Sequence, residues 1–209
     1  NANRTSGDKT EGMRLVYWYL DLVKLCKPTS WSMEQVINVR HFLDETDYDQ
    51  FELINTVNFG IPQTRKRLFI GSGWHLPNTH KHKALVDTLN YLPKEKIAYV
   101  KGYSNTRAVR IDGKHVGNIP NEGMQGFKSI NEPTFTLCAA GPLGLYDKNL
   151  QKVRDITIRE ALKIQGFPDE YQIPEDIKKT NAYKLVGNAV APPIAYMIMN
   201  SISDFDHSQ

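Results

Sequence analysis

NFGIPQTRKRLFIGSG, residues 58–73, is the stretch on which the fold turns. Its second half, RLFIGSG (67–73), is an apolar, β-prone run closed by glycines, and FELINTV (51–57) immediately before the stretch reads as another strand. Gly60 and Pro62 punctuate the connection, so the two strands are expected to pair as a hairpin. Between them Gln63, Arg65 and Arg67 alternate along the chain, and the alternation predicts that they point to one side. Two guanidinium groups on one face suit a phosphate or a base carbonyl. A solvated edge that resists aggregation is the other reading of the same residues.

Working outward, SWSMEQV (30–36) reads as a further strand carrying Glu34 near its far end. A carboxyl in that mostly apolar setting is desolvated, which raises its pKa and equips it as an acid; a capping or paired glutamate is the ordinary alternative. Upstream, apolar residues at 13, 16, 17 and 20 and at 15, 19, 22 and 26 predict a helix from Glu11 to Cys26, stopped by Lys27-Pro28. DETDYDQ (44–50) reads as a surface loop. From about His75 to Lys152 the pattern is loop-rich, with one short helical stretch (ALVDTLNYL, 84–92) and brief β-like pieces such as AYV (98–100) and TFTLC (134–138). Regularity returns at TIREALKIQGFP (157–168), where Thr157 and Glu160 form a capping box and Gly166 and Pro168 supply the stop. A short helix, AYKLV, is expected to close at Gly187, and PPIAYMIMNSISDF (192–205) opens the last helix on proline.

The 209 residues suffice for one large domain or two small ones, and 40% hydrophobic with 23% charged residues excludes a collagen-like or largely disordered chain. Two cysteines, Cys26 and Cys138, lack any CxxC or Cys/His ligand spacing, which argues against a disulfide framework and a structural zinc site; both are expected to be buried thiols. The longest unbroken apolar run, LVYWYL (15–20), is far too short to cross a bilayer, and the first twelve residues hold no apolar signal core. The expectation is a soluble intracellular protein, cytoplasmic if prokaryotic. The net charge of +3 is segregated: residues 1–60 carry six Lys/Arg against nine Asp/Glu, residues 61–115 eleven against three, and residues 116–209 nine against eleven. Four of the six histidines (His75, His80, His82, His115) share the basic middle with Lys81, Lys83, Lys94, Lys96, Lys101, Arg107 and Arg110. Such a patch suggests a polyanion, with a solvated face as its plain alternative. The HxxxxHxH spacing lacks acidic or cysteine partners and is not read as a metal site.

Taken together and in order, these segments resemble the C-terminal motifs of DNA cytosine-5 methyltransferases. YWYLDLVKLCKPTSWSMEQV (17–36) is similar to the helix, proline and strand leading into the family's Glu-Asn-Val motif. NFGIPQTRKRLFIGSG resembles its GxPQxRxRxF segment, RDITIREALKIQGFPDEY (154–171) its T-x-RE-x4-QGFPD segment, and YKLVGNAVAPPIAYMI (183–198) its closing GN-A/S-V-x-P segment. The resemblance implies a partial S-adenosylmethionine-dependent, Rossmann-like α/β lobe (1–74), a small loop-rich β target-recognition domain (75–152) and C-terminal helices returning to the lobe (153–209). It implies transfer of a methyl group from S-adenosylmethionine to carbon 5 of a cytosine flipped out of duplex DNA. On this resemblance Glu34 holds the cytosine N3 and amino group, Arg65 and Arg67 hold O2 and neighbouring groups, and Gln63 orders that strand and lies among the substrate contacts. Gly187, Asn188 and Val190 border the methionine end of the cofactor, while Arg159, Glu160 and Gln165 brace the lobe against the recognition module.

The family's FxGxG loop and Pro-Cys nucleophile motif are absent from these 209 residues. Neither Cys26 nor Cys138 has the Pro-Cys context, so the resemblance implies an attacking thiol supplied by a missing N-terminal half or a second chain, and negligible activity without it. A non-catalytic DNA-binding or specificity subunit is the alternative expectation. Gln35 stands where the family has Asn, and the 29 positions from Glu34 to Gln63 are fewer than the resemblance leads one to expect.

Overall fold

The computed structural model describes residues 9–89, 96–102, 106–111, 114–120, 126–139 and 141–206. Helix α1 (Lys9–Cys26) leads into strand β1 (Trp31–Gln35), followed by β2 (Gln50–Asn55) and β3 (Lys66–Ser72). These strands form a sheet of order β1-β3-β2, with β3 antiparallel to both neighbours. The hairpin expected of residues 51–57 and 67–73 is therefore present.

Alternation along β3 explains why this sheet is covered twice. Leu68 and Ile70 face Met13, Val16 and Leu20 of α1, together with Met33 of β1. Phe69, between them, turns to the opposite face and packs with Ile54, Trp74, Ile194 and Ile198. The last two belong to helix α4 (Pro192–Asp206), which opens on proline as expected. Leu68 and Ile70 are wholly buried, each contributing about 1.5–3 kcal/mol through burial. Helix on sheet on helix is an α/β arrangement.

The middle of the chain builds a second sheet from β4 (Tyr99–Lys101), β7 (Phe127–Ser129), β8 (Gly144–Tyr146) and β9 (Lys152–Asp155), in the order β7-β4-β8-β9. Strands β5 (Thr106–Ile111) and β6 (Lys114–Pro120) pair with each other. The stretch 84–92 yields a single 3-10 turn, Leu85–Thr88, and Asn90 to Leu92 lie outside the described residues, as does Lys94 of the basic cluster. TFTLC is not a strand: within it Thr134 makes one isolated bridge, to Gln63. Thr64 N–H donates to Thr134 O (2.9 Å) and Thr134 N–H to Pro62 O (2.9 Å), so the residues ahead of β3 draw this segment into a docking contact.

Helix α2 (Ile158–Gln165) starts and stops as read from sequence. Thr157 Oγ1 accepts from Glu160 N–H, Glu160 returns the bond to Thr157 N–H, and Gly166 ends the helix in the left-handed conformation at φ 90°. The C-terminal helices divide their core contacts. Helices α2 and α3 (Lys179–Asn188) share one core with the small sheet, through Leu162, Ile164, Tyr183 and Val186 packed with Val100, Leu143 and Leu145. Among the C-terminal helices, α4 supplies the core contacts to the three-stranded sheet.

Candidate base-gripping site

Glu34 lies opposite Phe69 in the β1–β3 register, and Arg67, two residues before Phe69, projects from the same face. This diagonal places Arg67 Nε 2.7 Å from Glu34 Oε1, with both side chains less than a fifth exposed. Gln35, the next residue, falls on the other face of the strand by alternation. Burial pushes the Glu34 carboxyl above its ordinary value, outweighing the pull of Arg67 and then Arg65 in the other direction. Burial also lowers the Arg67 guanidinium, against the attraction of Glu34. One carboxyl that retains its proton more readily than usual, clasped by a permanent donor, is suited to a planar polar ring bearing both donors and acceptors.

Arg65 and Gln63 depart from the alternation read in the sequence, because β3 begins only at Lys66 and neither residue belongs to the strand. Arg65 is 2% exposed. Its Nη1 donates to Leu137 O (3.0 Å) and Gly187 O (3.1 Å), and its Nη2 to Ala189 O (3.2 Å). Its pKa falls to about 10 through burial and the nearby Arg67, partly offset by Glu34 and Cys138. Gln63 is fully buried: its amide N–H groups reach Gln165 Oε1 and Ile164 O (3.3 Å), and its carbonyl accepts from Leu137 N–H (3.0 Å). Both side chains are engaged inside the protein by these bonds. Arg65 and Gln63 join the approach to β3, the 137–139 loop and the ends of α2 and α3.

Gly187 is likewise explained differently from the expectation. Helix α3 runs through it to Asn188, so it is not a helix-ending glycine. A Cβ there would stand 2.6 Å from the Cys138 carbonyl carbon and 2.8 Å from its oxygen. The missing side chain lets α3 touch the 138–139 backbone. Gly187→Ala is expected to cost about 2–3 kcal/mol through overpacking, read as a lower urea midpoint at unchanged m-value. Asn188 and Val190 are exposed on a turn held by Arg65 and by Gln165 Nε2, which donates to Ala189 O at 2.6 Å. An exposed amide and an apolar side chain on a fixed turn fit the polar and apolar parts of a cofactor's amino-acid end.

Of the three predicted bracing residues, Gln165 and Glu160 are buried and bonded, whereas Arg159 is exposed. Both cysteines are exposed, contrary to expectation. Cys26 is the last residue of α1, where the apolar stripe reaches the helix end. Cys138 lies on the 137–139 loop, whose docking the β-like reading of TFTLC did not foresee.

Fold and site together define an α/β lobe that presents a clasped carboxyl and guanidinium beside a small, lysine-bearing β module. The model of the C-5 cytosine-specific DNA methylase family matches residues 3–204, and the chain belongs to that family. It is 28% identical over 220 residues to the type II methyltransferase M1.ScrFI of Lactococcus lactis subsp. cremoris, covering 91% of this chain and 55% of that one. It is 29% identical over 174 residues to M.HpaII of Haemophilus parainfluenzae, covering 68% and 46%. The chain thus spans about half the length of these curated relatives. Solved structures of the same fold include the Entamoeba histolytica methyltransferase EhMeth (TM-score 0.54, 14% identity, 87% of this chain and 64% of that one). The S. pombe Dnmt2 methyltransferase is another (TM-score 0.52, 12% identity, 85% and 67%).

Proposed function

We propose that this chain supplies the base-gripping and DNA-reading parts of a DNA (cytosine-5)-methyltransferase. The Glu34–Arg67 clasp, with its 2.7 Å contact and raised carboxyl pKa, carries the reading. Carbon 5 of cytosine is a weak nucleophile until the ring is activated by thiolate addition at carbon 6. Glu34 holds a proton at ring N3 and accepts from the exocyclic amino group, while Arg67 donates to O2; both relieve charge that builds as the thiolate adds. S-adenosylmethionine, held in part by Asn188 and Val190, supplies the electrophilic methyl group. The basic 75–152 module contacts duplex DNA, phosphates for affinity and base edges for specificity.

The attacking thiol comes from a polypeptide bearing the FxGxG and Pro-Cys segments, either continuous with this chain or separate. Two observations support this. Neither cysteine stands in a Pro-Cys context, and among the described residues β1 is an edge strand with one neighbour. The same two observations favour the second reading, a specificity half that binds DNA without modifying it.

Transfer of a tritiated methyl group to duplex DNA separates the two. The 209-residue chain by itself is expected to give background counts, and counts are expected to appear once the Pro-Cys polypeptide is added. Duplex binding with background counts in the mixture favours the second reading. Incorporation by the chain alone, lost in Cys138→Ser, overturns the proposal and assigns the thiol to Cys138.

A further inference from the structure

A cavity of about 560 Å³ lies between Ala139, Gly141 and Pro142 and the first two turns of α3. Ala139, Gly141 and Pro142 form one wall, and Lys179, Thr180 and Lys184 form the other. Tyr183 contributes its ring, since its hydroxyl donates to Ile156 O inside the protein. Among the described residues, the side-chain groups left to meet a ligand are therefore two ammonium ions and a hydroxyl, with no carboxylate in the lining. Three other lysines, Lys24, Lys152 and Lys163, each meet an aspartate at 2.8–3.0 Å. Among the described residues neither Lys179 nor Lys184 has such a partner. Two uncompensated cations on the rim of a partly apolar cavity favour an anion carried on an apolar body, and a sugar-linked phosphate meets that description.

The cavity's position narrows the ligand. Ala139 follows Cys138, whose backbone packs on Gly187. The Gly187 carbonyl in turn holds Arg65, which feels the charges of both Glu34 and Arg67. Lys184 lies three residues before Gly187, less than one helical turn. Lys179 and Lys184 are separated by about 7.5 Å of helix rise, so the pair can serve neighbouring phosphates of one strand.

We propose that Lys179 and Lys184 form a phosphodiester clamp for the DNA strand that carries the gripped cytosine, with Ala139, Gly141 and Pro142 seating the sugar. The inference rests on the reading of the chain as a DNA methyltransferase and adds a contact outside the basic 75–152 region. The clamp fixes the backbone beside the extruded nucleotide and reads no base.

The test is the salt dependence of duplex binding by the full 209-residue chain, followed by fluorescence anisotropy. Each phosphate contact contributes about −0.9 to the slope of log K against log salt concentration. The Lys179→Gln/Lys184→Gln double variant is expected to flatten the slope by between about 1 and 2. It should weaken binding several-fold, equally for every duplex sequence, with the thermal melt unchanged because both side chains are exposed. Lys179→Arg/Lys184→Arg should restore the slope, and Lys27→Gln, just after α1 and outside the cavity lining, should leave it unaltered. Inorganic phosphate should compete no better than chloride at equal ionic strength if the site takes a backbone phosphate; selective competition would assign it to free phosphate and overturn the clamp. An unchanged slope in the double variant overturns the clamp and leaves the methyltransferase reading standing. Failure of the unaltered chain to bind duplex overturns both.

Discussion

Replacing Glu160 with alanine is expected to lower the unfolding free energy by about 3 kcal/mol. The side chain is fully buried at the first turn of α2. Arg154 grips it through two bonds of 2.7 Å, one to each carboxylate oxygen, and Thr157 N–H donates at 2.8 Å. Alanine removes the capping box and leaves the half-buried Arg154 guanidinium with an unmatched charge, so loosening the join between β9 and α2. A chain of this size should lose roughly 10 °C in Tm. The effect depends on pH in a definite sense. Burial by itself would raise the Glu160 carboxyl, but the donors from Arg154 and Thr157 outweigh it and hold the group below its ordinary 4.5. A group depressed in the folded state gives stability that is present above its unfolded pKa and lost as pH falls through the folded one. Urea unfolding at neutral pH and at about pH 3 should therefore show the gap between the unaltered chain and the variant narrowing in acid. An equal gap at both would show that Glu160 contributes packing rather than charge.

The second large effect concerns catalysis. With the thiol-bearing polypeptide present, Glu34→Gln is expected to lower the methyl-transfer rate by about 10²- to 10⁴-fold, the usual worth of a positioned acid or base. Duplex binding should change little, because Glu34 lies in the clasp and outside the phosphate-contacting surfaces. Arg67→Ala offers an independent check through a readout that a packing role would not move. Arg67 pulls the Glu34 carboxyl downward against burial, so removing it should raise the Glu34 pKa further, visible in an NMR titration of the side-chain carboxyl. A Glu34 pKa that stays put or falls in Arg67→Ala would falsify the clasp as an electrostatic pair.

Local signals located much of this site. The apolar run of SWSMEQV placed Glu34 on a strand, and the punctuation of NFGIPQTRKRLFIGSG placed Arg67 on its partner. Once β1 and β3 pair antiparallel in the observed register, the diagonal contact follows from strand geometry. The signals failed where a residue's role depends on a segment distant in sequence. Alternation suggested that Gln63, Arg65 and Arg67 act alike, yet Gln63 bonds to Gln165 and Arg65 to Leu137, Gly187 and Ala189, all more than seventy positions away. Gly187 looked like a helix stop, but its reason is the Cys138 backbone.

The amino-acid order by itself determined the helix α1, the hairpin of β2 and β3, the ends of α2, the basic middle and the acid at position 34. Periodicity, caps and charge act over a few neighbouring residues and can be read from them. Only the tertiary structure decided that Arg65 and Gln63 are bonded inside the protein, that α2 and α3 belong to the core of the small sheet, and that Lys179 and Lys184 line one cavity. Those outcomes depend on which distant backbone fills the space beside a side chain, and packing, unlike periodicity, leaves no mark in the local sequence.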